Sequence, residues 1–305
     1  MDPAELAILR TVLYSDLFNY PLTRDELRRG LFDLALDAAA IERALAASDL
    51  LRGALEERDG YVFVTGRSVL VEERRAGERN ARELRARHGR TLSWLSRLPF
   101  VRLVAISGAV AFGNAHDDDV DVFFVTAANR VWTVCLLVTA LTRLAGARRA
   151  ICANYFLDER SLDLADRDLY TAHQLVHLEP FAGIDAYRSL VGANPWAGAY
   201  LPSAYAASRD RVAPAIARGA VRRLAERLLG ALLEPISRRV LAANFRKKVP
   251  ADVDPASVRL GDDRLKLHIN DHRATTLARF DEAVAARIAE FERLDNSRVC
   301  EARVS

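Results

Sequence analysis

The sequence predicts an α/β (α+β) fold: a small mixed sheet with helical segments before and after it in the chain. Two observations lead to this prediction. An apolar run from Leu103 to Ile106 breaks at Ser107-Gly108, as a buried strand does where it enters a tight turn. A second apolar run, Val120 to Val125, follows a polar loop, and most of the remaining chain has helical spacing.

A pair of aspartates opens the second strand. Because side chains alternate along a strand, Asp119 and Asp121 are expected on one face, roughly 6–7 Å apart along the chain. Two carboxylates side by side repel each other unless a cation lies between them, and Mg²⁺ prefers such oxygen ligands. The pattern favours a metal site over the alternative, a solvated acidic loop that runs into a sheet.

This segment resembles the nucleotidyltransferase superfamily of the DNA polymerase beta fold. That family has a strand, a Gly-Ser turn, a short spacer and the pattern Asp-h-Asp-h, where h is apolar. Here Gly108-Ala109, nine residues and then Asp119-Val120-Asp121-Val122 fit the spacing. The resemblance implies that Asp119 and Asp121 bind the metals that activate transfer, and that Ser107, Gly108 and Ala109 hold the nucleotide's phosphates.

The chain departs from the family pattern at two points. Ala109 stands where a serine is expected, so Ser107 is the remaining candidate for a phosphate-facing hydroxyl. The family's third carboxylate lies on a later strand, expected here at residues 150–157, where the matching position is Asn154. Asp158 and Glu159 follow that strand and are the alternatives for the missing acid.

Residues 1–66 are predicted to form a winged-helix-like module. Helical spacing covers Pro3 to Tyr20, and Thr23 with Glu26 forms a capping box for a second helix that reaches about Phe32. A third helix is expected from Asp37 to Ala47. Leu50-Leu51 and Tyr61 to Val64 are expected to pair as a two-stranded wing.

The segment YSDLFNYPLT resembles the N-terminal part of a bacterial group of nucleotidyltransferase-like proteins, and the resemblance continues at residues 129–132 and 153–156. DNA is not the expected partner of the module. Its third-helix region, residues 34–50, carries a net charge of −2, which is unfavourable in a DNA groove. Docking against the rest of the chain is the favoured role.

Residues 67–98 are predicted to be one long connecting helix that carries nine arginines and four glutamates. A solvated connector with pairs such as Glu78 and Arg82 is favoured. The alternative is that some of these arginines reach a phosphate.

A helix at 129–144 and another at 166–178 are expected after the sheet begins. His173 and His177 on the second of these helices are four residues apart, and packing is favoured over a metal pair.

Beyond Glu179 the chain is predicted to be entirely helical, interrupted at Pro195, Pro202 and a loop from Pro250 to Pro255. Residues 209–248 carry a net charge of +8, densest at residues 246–248. Solvated faces of amphipathic helices are favoured over a basic wall for a polyanion. In the helical domains of nucleotidyltransferases a basic residue approaches the triphosphate, and the resemblance suggests Lys266 for that role.

The resulting division is a winged-helix-like module at 1–66, a connecting helix at 67–98, a nucleotidyltransferase core at 99–180 and a helical domain at 181–305. Three dispersed cysteines indicate a reducing compartment. The N-terminal residues lack the pattern of a signal peptide, and the most apolar helix-length stretch, Val131 to Leu141, is too short to span a bilayer. A cytoplasmic protein with no membrane partner is expected; its oligomeric state is left open.

The leading functional hypothesis is a nucleotidyltransferase. Mg²⁺ held by Asp119 and Asp121 would assist transfer of a nucleoside monophosphate from an NTP, with ATP expected, to an acceptor that the sequence does not identify. The alternative is a nucleotide- or protein-binding module of the same fold whose catalytic site has decayed, as Ala109 and Asn154 would allow. Regulation through DNA binding is a third and weaker hypothesis.

Overall fold

The computed structural model describes residues 2–217, 219–229, 233–248, 258–267 and 272–304. It confirms the mixed α/β class. The loop expected at Pro250–Pro255, together with His268 and Asp271, lies outside the described residues, as do the side chains at 246–248.

The N-terminal part consists of short helices and one small antiparallel sheet. Thr23 and Glu26 form the predicted capping box, in which the Thr23 hydroxyl accepts a hydrogen bond from the Glu26 amide. The sheet has the order β1-β3-β2. The elements are α1 (Pro3–Asp16), β1 (Leu22–Thr23), α2 (Arg24–Arg29), α3 (Ala38–Ala47), α4 (Asp49–Ala54), β2 (Leu55–Arg58) and β3 (Tyr61–Val64).

The first strand of the predicted wing lies a few residues later in the sequence than expected. Leu50 and Leu51 belong to α4 and not to a strand, so that prediction is wrong. Ser48 caps α4 by accepting a hydrogen bond from the Leu51 amide, which starts a helix where the apolar pair alone indicated a strand. The first wing strand is β2, whose Leu55 pairs with Val64.

Two of the predicted helices are also shorter than expected. Helix α1 ends at Asp16 rather than Tyr20, in a turn where Asn19 has φ 51°. Helix α2 ends at Arg29, with Gly30 at its C-cap, and so stops before Phe32.

The rest of the chain forms a six-stranded mixed sheet surrounded by helices. The first half comprises α5 (Leu70–Arg97), β4 (Val101–Ser107), α6 (Gly108–Phe112), β5 (Val120–Thr126), α7 (Val131–Leu144) and β6 (Ile151–Asp158). The second half comprises α8 (Leu169–His177), β7 (Glu179–Ala182), α9 (Ile184–Gly192), α10 (Ala197–Tyr200), α11 (Pro202–Arg209), α12 (Ala220–Leu229), α13 (Leu233–Lys248), β8 (Val258–Leu260), β9 (Arg264–Leu267) and α14 (Arg273–Val304).

The strand order of this sheet is β7-β4-β5-β6-β9-β8. Strands β5 and β6 run parallel, joined by α7, and the other neighbouring strands of the sheet are antiparallel. The β5–β6 register shifts between Val122 and Phe123, whose partners are Ala153 and Tyr155. Asn154 therefore lies in a bulge, which changes the direction of its side chain relative to a regular strand.

The prediction of an entirely helical C-terminal part is wrong, because β7, β8 and β9 join this sheet. Residues 264–267 alternate polar and apolar side chains, and Leu265 is fully buried opposite Phe156. Strand β6 would otherwise be an exposed edge with unpaired backbone groups, and β9 covers it. Lys266 consequently lies on a strand rather than on a helix.

The two faces of the sheet are covered by different parts of the chain. One face, with Leu103 and Phe123, packs in the same apolar cluster as the N-terminal helices, α8 and α9. The other face, with Val104 and Phe124, packs against α5, α7 and α13. Across the described ranges, no helix is both long enough and apolar enough to cross a membrane.

A buried arginine of α5 joins the N-terminal part to the sheet. The Arg74 side chain is 3% exposed and forms ion pairs with Glu26 at 2.8 Å and Glu78 at 2.7 Å. It also donates to the Tyr20 hydroxyl and to the Gly113 carbonyl, both at 2.8 Å. One guanidinium thus connects α2, α5 and the loop that follows α6.

We expect Arg74→Ala to lower the free energy of unfolding by about 3 kcal/mol, because it leaves two partly buried glutamates without their cation. Arg79→Ala, an exposed position on the same helix, is the matched control and should change stability by less than about 0.5 kcal/mol. Urea denaturation followed by circular dichroism measures both. Equal effects of the two substitutions would contradict the role assigned to Arg74.

Candidate metal centre

The site forms where β4 turns into α6 beside the start of β5. Ser107, the last residue of β4, pairs with Asp121 across the two antiparallel strands. Gly108 follows with φ 62°, a left-handed conformation that costs glycine little and other residues more. The turn therefore brings the backbone of Ser107 and Gly108 directly against Asp121.

Gly108 is in close contact with Asp121. A Cβ atom built on Gly108 would lie 2.3 Å from Asp121 Oδ2, well inside van der Waals contact. Glycine is required at this position for two reasons, the positive φ and the approach of the carboxylate. This requirement gives a structural meaning to the Ser-Gly break seen in the sequence.

The two aspartates are brought together with a cysteine. Single carboxylate oxygens of Asp119 and Asp121 and the sulfur of Cys152 all lie within 4.8 Å of one another. The Cys152 thiol donates to Asp119 Oδ2 at 2.9 Å. The Asn154 amide donates to Asp121 Oδ1. Strand β6 thus supplies one neutral donor to each carboxylate.

The environment raises the pKa of Asp121 to about 7. Burial is the largest cause, followed by the negative charges of Asp119 and Asp117; the hydrogen bond from Asn154 acts in the opposite direction. Burial and the adjacent Asp119 raise the pKa of the Cys152 thiol to about 12. Near neutral pH the cysteine is a protonated donor, and a cation would relieve the repulsion between the carboxylates.

The donor set fits a hard divalent cation held by two carboxylates. Mg²⁺ is commonly bound by one or two carboxylates, with water and substrate phosphates completing its six oxygen ligands. Asp119 and Asp121 provide that pair of oxygens. Cys152 is a poor ligand for Mg²⁺ because thiols suit softer metals. Its hydrogen bond to Asp119 instead fixes the orientation of that carboxylate.

Asp158 and Glu159 lie far from this pair along the sheet. Asp158 pairs with Thr126, at the opposite end of β5 from Asp121, and its carboxylate accepts from the Asn129 and Arg160 amides. Glu159 accepts from the Ala128 amide at 3.1 Å. Neither acid joins the aspartate pair, and Asn154 occupies the neighbouring position on β6.

The other predicted phosphate-binding residues lie at different distances from the pair. Ala109 is in the first turn of α6, directly after Gly108. Lys266 on β9 pairs with Tyr155, and its Nζ lies 4.0 Å from Asp166 Oδ2. By strand register Lys266 shares the sheet face of Tyr155, one strand away from Asn154. Lys266 therefore lies on the sheet face that carries the site, but its ammonium group is beside the carboxylate of Asp166.

His173 and His177 belong to an aromatic stack. The His173 ring lies 5.0 Å from that of Phe112 with an interplanar angle of 16°, and the two imidazoles are 4.4 Å apart. Burial lowers the pKa of His177 to about 4 and that of His173 well below its usual range. Both rings are neutral near pH 7. Among the described residues, neither imidazole belongs to the cluster of side chains that could hold a metal.

Two arginines of α5 bind the backbone around α6. Arg85 donates to the Val110 carbonyl and pairs with Glu179 at 2.7 Å, and Arg74 donates to the Gly113 carbonyl. These carbonyls end a very short helix and have few helical partners. Arg74 and Arg85 therefore hold the turn beside the site in place.

Sequence reasoning missed Cys152 as a site residue. Its position was readable: Cys152 and Asn154 are two apart on a predicted strand, like the aspartates they contact. The pairing of β5 with β6, however, depends on tertiary contacts.

No protein-family model matches the chain, and comparison with curated proteins and with solved structures finds no match either.

We expect Gly108→Ala to destabilise the fold by more than about 1 kcal/mol, because a Cβ would be strained by the positive φ and would displace Asp121. Gly89→Ala is the matched control. Gly89 lies within α5 with open space around it, so alanine there should stabilise by up to about 1 kcal/mol. Thermal unfolding of both variants measures the difference, and equal melting temperatures would contradict this account.

The raised pKa of Asp121 predicts a pH-dependent stability in the absence of divalent cations. The folded state holds this proton more tightly than the unfolded state, so its contribution is present at low pH and is lost as the pH rises through about 7. We expect the stability of Asp121→Asn relative to wild type to increase by about 2 kcal/mol between pH 5 and pH 8, allowing for partial solvent screening.

Denaturation in EDTA at both pH values measures this change. Asp118→Asn, at an exposed position in the same loop, is the control and should show a difference from wild type that does not depend on pH. A pH-independent difference for Asp121→Asn would show that the carboxyl titrates in its ordinary range.

Proposed function

We propose that the protein is a nucleotidyltransferase that moves a nucleoside monophosphate from an NTP to an acceptor with the help of Mg²⁺. The observation that supports this most directly is the contact of Asp121, which lies beside Asp119, with the Gly108 turn. A carboxylate pair that can hold a metal, beside a glycine turn, is an arrangement that phosphoryl-transfer sites use. The resemblance of residues 101–126 to the nucleotidyltransferase superfamily supports the same proposal.

In this mechanism Asp119 and Asp121 hold the cation, and residues 107–109 face the phosphates of the NTP. When bound, the ion neutralises the phosphates and lowers the pKa of the attacking group. Asp121 must be ionised to act as a ligand, so binding of the cation releases its proton. Cys152 and Asn154 orient the two carboxylates through their hydrogen bonds. Because the glycine has no side chain, the Asp121 carboxylate can lie directly against the backbone of the turn.

Lys266 is the candidate for contacting the outer phosphates. Three basic residues, Arg259, Arg264 and Lys266, share the sheet face of Tyr155 through the register of β6, β8 and β9. Arg259 and Lys266 both lie beside Asp166, at 3.3 Å and 4.0 Å. A polyphosphate would add anionic partners to this cluster, and Lys266 would change partner from Asp166 to phosphate.

A second candidate is a nucleotide-binding module without transferase activity. Asn154 favours it, because this residue contacts Asp121 from a strand on which the superfamily carries a further acid. A site with one carboxylate fewer binds cations more weakly and places less negative charge around the metal. The same experiment separates the two candidates, since both predict nucleotide binding but only the first predicts transfer.

The test is incubation with each α-labelled NTP and Mg²⁺, with a small-molecule extract supplying acceptors, followed by detection of labelled product and of pyrophosphate. We expect Asp121→Asn to reduce transfer by about 100-fold or more, the size of loss typical when a group that stabilises transition-state charge is removed. Asp118→Asn is the matched control and should retain activity.

A parallel thermal-shift series with each NTP, with and without Mg²⁺, reports binding. At 100 times the dissociation constant a ligand stabilises by about 2.7 kcal/mol. A metal-dependent shift without transfer would favour the binding module. If no NTP shifts the melting temperature and none is consumed, the nucleotidyltransferase proposal is wrong.

A further inference from the structure

A cavity of about 500 Å³ lies beside the candidate metal centre, between the N-terminal part of the chain and the sheet. Its wall includes Gly108 and Asp117 from the metal side and Arg211 after α11. Gly108 also contacts Asp121, so the cavity wall adjoins the aspartate pair. The volume lies in the range of small-molecule sites.

Aromatic rings form much of the wall. Phe18, Phe32, Phe112 and His177 all line the cavity, and Phe112 and His177 pack with ring centroids 4.5 Å apart. The imidazoles are neutral, as described above, so this wall carries no charge. A flat aromatic ring is the ligand shape that gains most from such a surface.

The charges around the cavity are unevenly compensated. Glu26 pairs with Arg74, and Arg29 pairs with Asp25. Arg211 instead donates to two backbone carbonyls, Leu178 at 2.7 Å and Val176 at 3.0 Å. Across the described part of the chain, no carboxylate lies within ion-pair distance of Arg211. Its guanidinium presents a positive charge that an anionic ligand group would balance.

The two ends of the cavity differ in charge. Arg211 bonds the carbonyls at the end of α8, whereas Asp117 is close enough to Asp121 to help raise its pKa. Helix α6 leads from Gly108, which contacts Asp121, to Phe112, which packs on His177 of α8, a distance of about 6 Å at the usual helical rise. This span matches one aromatic ring with a substituent at each end. An anionic substituent is favoured at Arg211 and an uncharged one beside Asp117.

We propose that this cavity binds the acceptor of the reaction. The proposed acceptor is a small aromatic acid that carries a hydroxyl group on its ring, at the end opposite the carboxylate. The acceptor role rests on the proposed function; the ligand class rests on the cavity alone. In the transfer step the hydroxyl oxygen forms a bond to the α-phosphorus, the bond from that phosphorus to pyrophosphate breaks, and the hydroxyl proton passes to solvent.

The binding test uses isothermal titration calorimetry on the full chain without nucleotide or metal. The probe is 3-(4-hydroxyphenyl)propionate, and tyramine is its matched control, with the same ring and hydroxyl but an amine in place of the carboxylate. We expect the acid to bind at least about 10-fold more tightly than the amine, as a charge-assisted hydrogen bond implies. 3-Cyclohexylpropionate, which lacks both the aromatic ring and the hydroxyl, should also bind more weakly.

Two variants locate the contact. Arg211→Gln should weaken binding of the acid by about 10-fold, and Arg211→Lys should retain much of it because the charge remains. Arg209→Gln, an exposed arginine two residues away, should leave affinity unchanged.

The possible outcomes test ligand binding by the cavity separately from the transfer reaction. No binding at millimolar probe, equal binding of acid and amine, or indifference to Arg211→Gln in a folded variant overturns the proposal. If Arg211→Gln fails to fold, the comparison of acid with amine on the wild type still decides. Binding that depends on Arg211, with no transfer to any acceptor, supports the ligand class and refutes the proposed function. Labelling of the probe from an α-labelled NTP supports both.

Discussion

The buried guanidinium of Arg74 is the interaction on which the arrangement of the site depends. A buried guanidinium is tolerable only when its charge is paired and most of its donors are hydrogen-bonded. Here the partners come from different parts of the chain: Glu26 of α2, Glu78 of α5 and the carbonyl of Gly113 after α6. Tyr20 adds a hydrogen bond and a stacked ring at 4.1 Å. The N-terminal part and the turn beside the aspartates are therefore held by one group.

The same turn is held from its other side by the sheet. Antiparallel pairing of β4 with β5 places Ser107 opposite Asp121, and parallel pairing of β5 with β6 brings Cys152 and Asn154 to the carboxylates. Two acids are thus kept close with neutral donors around them and a raised pKa on one. This arrangement stores electrostatic repulsion that a divalent cation would release. The repulsion lowers the stability of the unliganded protein, and its relief on binding is the basis of the proposed affinity for the cation.

The C-terminal segment has two roles in this architecture. Strands β8 and β9 extend the sheet beyond β6, so the sheet does not expose β6 as an edge. The same strands carry Lys266 and two arginines on the face that holds the aspartates. Meanwhile Arg211, between α11 and α12, closes the aromatic cavity. Both features draw on residues more than a hundred positions after the turn that they serve.

Local patterns in the sequence were sufficient for the strands around the turn, the long connecting helix and the capping box at Thr23. Each depends on neighbours within a few residues: alternation, helical spacing, a glycine where φ must be positive. The aspartates could be placed on one face for the same reason. Partners from distant strands could not be read this way. The bulge at Asn154, the Cys152 contact, the added strands β8 and β9 and the cavity at Arg211 arise from packing between remote segments. Side-chain periodicity describes one strand at a time, whereas pairing and burial are properties of the whole fold.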